Sequence, residues 1–68
     1  MIYKVSYIVQ GGAHPGTIRN ETSYPQVGET IRIGKHSFEI TEVLELIPPH
    51  HDFSYLHVTC RMLDPRDE

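Results

Sequence analysis

The chain has 68 residues, 38% of them hydrophobic and 22% charged, with a formal net charge of −3. That length suits one small domain and excludes a dinucleotide-binding fold, a TIM barrel or a two-domain enzyme. An acidic balance with no basic run disfavours nucleic acid, because its binders rely on Lys and Arg to neutralise phosphates.

The charge is unevenly placed. Residues 1–34 carry Lys4, Arg19 and Arg32 against Glu21 and Glu29. Residues 35–68 carry Lys35, Arg61 and Arg66 against Glu39, Glu42, Glu45, Asp52, Asp64, Asp67 and Glu68. Cys60 is the single cysteine, so no intrachain disulfide staples the core, whereas secreted domains this small typically carry about two to four. With no signal-peptide pattern, a cytoplasmic protein is expected. The opening apolar stretch is too short to cross a bilayer and carries Lys4 within it, so no membrane partner is expected.

Residues 2–9 alternate, with Tyr3, Val5, Tyr7 and Val9 on one face and Lys4 and Ser6 on the other. Their β-branched and aromatic character predicts a strand. Residues 10–16 (QGGAHPG) predict a loop. Residues 17–20 predict a short strand, and 21–28 read as irregular. Residues 29–33 alternate again, with Ile31 and Ile33 inward, and Gly34-Lys35 is a turn into a further strand from 36 that carries Phe38 and Ile40.

The stretch 39–47 has two readings. Ile40, Val43, Leu44 and Ile47 fall at the spacing of an amphipathic helix. As a strand, the same stretch puts Phe38, Ile40, Leu44 and Leu46 on one face with Glu42 as the misfit. A bulge near Thr41-Glu42 would shift the parity, explain why Val43 and Leu44 are both apolar, and bend the strand. The strand is preferred, since the stretch is short, lacks an N-cap residue and follows directly from a hairpin. Pro48-Pro49 is expected to end it, because neither residue donates to a ladder.

Residues 54–62 alternate most clearly, with Leu56, Val58, Cys60 and Met62 inward and Tyr55, His57, Thr59 and Arg61 outward. With Leu46 opposite Leu56, the expected outward pairs are Ile47–Tyr55, Glu45–His57, Val43–Thr59 and Thr41–Arg61. Residues 64–68 read as a polar C-terminal tail beyond a single domain over 1–63.

The segment Pro-Gln-Val-Gly-Glu-Thr-Ile-Arg-Ile followed by Gly-Lys-His-Ser-Phe-Glu-Ile, residues 25–40, resembles the central hairpin of SH3-like barrels. The resemblance implies an all-β, five-stranded SH3-like barrel. An OB-like barrel is the alternative, or an α+β fold if 39–47 is helical.

No motif assembles a catalytic site. On a strand, His57 and Cys60 point to opposite faces, so the imidazole cannot activate the thiol, and a buried Cys behaves as a small hydrophobe. His50, His51 and Asp52 with His57 or His14 suggest a metal, but adjacent histidines do not readily share one ion and zinc favours four converging ligands. Gly28 and Gly34 lack the spacing, the Lys-Ser/Thr and the following helix of a phosphate loop. A non-enzymatic protein without cofactor or metal is expected.

What remains is surface. His50, His51, Phe53, Tyr55 and His57 gather aromatic and imidazole groups at one hairpin tip, a composition suited to docking on a protein partner. Phe53 has a competing role as a plug over the barrel end. Pairing of copies through an exposed edge strand is a further expectation for such a fold. The alternatives are a nucleic-acid face built from Tyr3, Tyr7, Arg19 and Arg32, and a histidine-rich metal site.

Overall fold

The computed structural model describes residues 1–12 and 14–63, with backbone alone over 48–50. The tail expected over 64–68 lies outside the described residues. Five strands follow in order: β1 (Ile2–Val9), β2 (Thr17–Glu21), β3 (Thr30–Ile33), β4 (His36–His50) and β5 (Phe53–Met62). They form one sheet in the order β2-β1-β5-β4-β3, with β1 and β5 parallel and the other neighbours antiparallel. The chain is all-β, and the sheet is curled into a half-barrel. Arg19 of β2 donates a guanidinium hydrogen bond to the carbonyl of Arg32 in β3. These two strands stand at opposite ends of the sheet order, so the contact requires that curl.

Alternation places the core on the concave face. Val5, Tyr7 and Val9 of β1 meet Leu56, Val58 and Cys60 of β5, with Ile33, Phe38 and Ile40 completing a buried cluster. Tyr3, Ile31, Val43 and Met62 pack around it. The expected inward sets of β1 and β5 are therefore those observed. Gly34, at φ 63°, supplies the left-handed turn residue of the β3–β4 hairpin. Gly16 has a different reason to be glycine: a Cβ there would lie 2.1 Å from the backbone carbonyl oxygen of Tyr7, so the chain crosses β1 where only hydrogen fits.

Residues 39–47 belong to β4 and not to a helix. The bulge expected near Thr41-Glu42 is present as a register shift between Ile40 and Glu42. A second shift, between Glu45 and Ile47, sets Leu46 out of register. A hydroxyl accompanies each irregularity: Thr41 Oγ1 donates to the Thr59 carbonyl at 3.2 Å, and buried Ser54 Oγ donates to the Ile47 carbonyl at 3.0 Å.

These bulges overturn three expectations. Leu44 and Leu46 are exposed instead of inward: the extra residue at Thr41 reverses the faces of residues 42–45, and Leu46 is itself the extra residue of the second shift, after which Ile47 returns to its expected face. Of the expected outward pairs only Ile47–Tyr55 holds; the others become Glu45↔Leu56, Leu44↔His57, Val43↔Val58, Glu42↔Thr59 and Glu39↔Arg61. Pro48-Pro49 does not end the strand, which continues to His50 opposite Phe53. Another register shift lies between Ile47 and His50, so the prolines fall where the ladder is already interrupted and their missing N–H groups forfeit little.

Candidate docking surface

The β4–β5 turn consists of His51 and Asp52, with His51 at φ 58°. Histidine is among the non-glycine residues enriched in this left-handed region. The Ile2 amide donates to the Asp52 carbonyl at 2.9 Å, tying the start of β1 to the turn. From there β5 sends Phe53, Tyr55 and His57 successively to the convex face, as period-two geometry requires.

Phe53 is 41% exposed, so it is not the core plug that was its competing role. Buried Ser54 occupies the adjacent inward position, and Phe53 is left on the outer surface. Tyr55 and His57 are half-buried, and His51 is exposed. The His50 backbone stands opposite Phe53, while its side chain lies outside the described residues.

Registration across the sheet extends this set into three rows. Ile2 lies beside Phe53; Lys4, Tyr55 and Ile47 form the next row; Ser6, His57 and Leu44 form the third, which Ile18 of β2 continues. Ile2, Phe53, Ile47, Leu44 and Ile18 are all exposed apolar side chains. Ile2, Lys4, Leu44 and Ile18 are neighbours the sequence did not single out. The Ile47–Tyr55 neighbourhood was visible from hairpin register. The β1 contribution was not, because a parallel pairing between the first and last strands leaves no local signal.

The residues of the alternative nucleic-acid face are differently engaged. Tyr7 is only 3% exposed; its hydroxyl donates to Glu21 Oε2 at 2.9 Å, with the Arg19 guanidinium 5.7 Å from its ring centre. Burial, then the hydrogen bond to Glu21 and that carboxylate's charge, push the Tyr7 hydroxyl well above the usual tyrosine range. Tyr3 packs edge-on against Tyr24, ring centres 5.5 Å apart, and the Tyr24 hydroxyl donates to Glu45 Oε2 at 3.2 Å. Arg32 donates to the Lys35 carbonyl at 3.4 Å. A buried Tyr7 offers no ring face to a base.

His14 stands beside His36, ring centres 5.3 Å apart, and beside Phe38 at 5.4 Å. Among the described residues, no group of three or more His, Cys, Asp or Glu side chains is placed to hold a metal ion. Cys60 is buried, donates its thiol to the Ile8 carbonyl at 3.5 Å, and is pushed up in pKa by burial. A protonated, enclosed thiol is a poor nucleophile. No helix among the described residues is long and apolar enough to cross a membrane.

Compared with protein-family models, curated proteins and solved structures, the chain matches none of them.

Proposed function

We propose that this chain is a non-enzymatic docking module, a small β-barrel of the SH3-like kind, that binds a protein partner through the convex face at its β4–β5 tip. The observation that carries this reading is the exposure of Phe53 beside Ile2, with Tyr55, Ile47 and Leu44 in the adjoining rows. Aromatic anchors ringed by aliphatic groups are the usual centre of a binding patch. Lys4, His51 and Asp52 supply a polar rim. A free, buried thiol and the lack of a disulfide suit a reducing, cytoplasmic setting.

The test is co-purification from the native host with wild-type chain and with Phe53→Ser, each checked for an unchanged fold by amide NMR spectra. Phe53→Ser is expected to release the specific partner, with at least about a tenfold loss of affinity for a central aromatic anchor. Retention of the partner, or amide shifts clustering away from Ile2, residues 44–47 and residues 50–57, would remove this face from consideration.

A further inference from the structure

We infer that the outer edge of β4 over 41–47 takes up an extended segment of the protein partner, a strand in which apolar residues alternate with Lys or Arg. This rests on the docking role proposed above and names the chemistry of the partner.

The unequal lengths of two neighbouring strands create the edge. β4 spans fifteen residues and β3 spans four. β3 pairs with β4 only over residues 36–39, and two further bonds, Gly28 N–H to the Ile40 carbonyl and Ile40 N–H to the Glu29 carbonyl, close that side at Ile40. Beyond it, β5 flanks β4 on one side, and among the described residues no strand pairs with the other. A strand satisfied on one side only is a template for another. The irregularities confine that template. Glu42, Val43, Leu44 and Glu45 form the uninterrupted run between the shifts at Ile40/Glu42 and Glu45/Ile47.

Charge selects the occupant. Residues 41–57 contain Glu42, Glu45 and Asp52 and no Lys or Arg. Both glutamates are exposed; Glu45 accepts from the neutral Tyr24 hydroxyl at 3.2 Å, and the nearby Arg61 is committed to Glu39 at 2.6 Å. A second copy pairing edge to edge would double the carboxylates along this edge without adding a cation from 41–47, and like charges across a ladder repel. The same carboxylates attract a strand bearing Lys or Arg. Leu44 and Ile47 lie in the rows of His57 and Tyr55, so apolar residues beside them on the added strand would extend the docking face. Glu45 lies opposite core residue Leu56 and Glu42 opposite Thr59, on opposite faces of the sheet, so an alternating strand with its apolar residues beside Leu44 and Ile47 turns its cations to the face of Glu45, while Glu42 adds to the attraction along the edge.

The test uses an array of nine-residue peptides in which Lys or Arg alternates with Val, Ile or Tyr, against matched peptides with Glu for each cation or Pro at the centre. Binding is followed by amide NMR and hydrogen exchange. The cationic set is expected to bind and to protect amides within 41–47, with affinity falling as salt rises. The Glu and Pro sets should not bind, and Glu42→Lys with Glu45→Lys should weaken binding about tenfold or more. Binding that ignores charge or the central Pro, shifts confined to Phe53 and Tyr55, or edge-to-edge dimers in sedimentation would each overturn the inference. If Phe53→Ser releases the native partner while the double Glu variant retains it, the edge fails and the docking face stands. The opposite pattern retains the edge and removes the face.

Discussion

The two halves of β4 are the same strand in different company. From His36 to Ile40 it lies between β3 and β5, and Phe38 and Ile40 are sealed in the core. From Thr41 onward β5 is its one partner strand among the described residues, and Leu44, Leu46 and Ile47 are exposed. Hydrophobic content does not separate the halves. What separates them is that β3 is short and that the shifts at Thr41 and Leu46 turn Leu44 and Leu46 away from the core.

The largest expected effect comes from truncating the enclosed half. Phe38→Ala removes the centre of a thin core and should cost about 3–5 kcal/mol, comparable to the whole stability of a small domain. Leu46→Ala, on a side chain 56% exposed, should stay within about 0.5 kcal/mol. Urea unfolding of both variants measures the contrast directly. A large loss for Leu46→Ala would break the comparison and mean that the arm is covered in solution.

Gly16→Ala should come next, at about 1–3 kcal/mol, because the added Cβ collides with the Tyr7 carbonyl. Thermal melting reads this out, and a neutral result would mean that the 10–16 loop shifts freely away from β1.

A smaller loss than that of Gly16→Ala is expected at Tyr7, within the enclosed region. The Tyr7 pKa is raised in the folded chain by burial and by Glu21, so its contribution is fully present below the ordinary tyrosine value near 10. Above about pH 10 the unfolded state loses this proton and the folded state keeps it, so stability falls as pH rises. Tyr7→Phe should lose roughly 0.5–1.5 kcal/mol at neutral pH and flatten the alkaline decline. Melting curves of both proteins from neutral to alkaline pH test this, and identical slopes would exclude Tyr7 as the source.

Much of this architecture was legible locally. Tyr3, Val5, Tyr7 and Val9, and likewise Leu56, Val58, Cys60 and Met62, state their faces by alternation, and the bulge was visible in the misfit of Glu42. The second bulge was not, since Leu46 inward and Ile47 outward already satisfy plain alternation. The docking face was half-legible. Phe53, Tyr55 and His57 follow from the period of one strand, but Ile2 joins them through a parallel register spanning most of the chain. The histidines show the same limit: His14 meets His36, a partner no spacing rule proposes.

By itself the sequence determined the strands over 2–9 and 54–62, the β3–β4 hairpin, the inward residues of β1 and β5, and the concentration of acidic charge in its second half. These are local consequences of period, turn residues and composition. Only the tertiary structure decided that β1 pairs in parallel with β5, that β4 runs past its prolines, and that Leu44, Leu46 and Ile47 remain outside. Those outcomes depend on which strands are available as neighbours and how far each extends, and a ladder between distant segments leaves no trace in either segment alone.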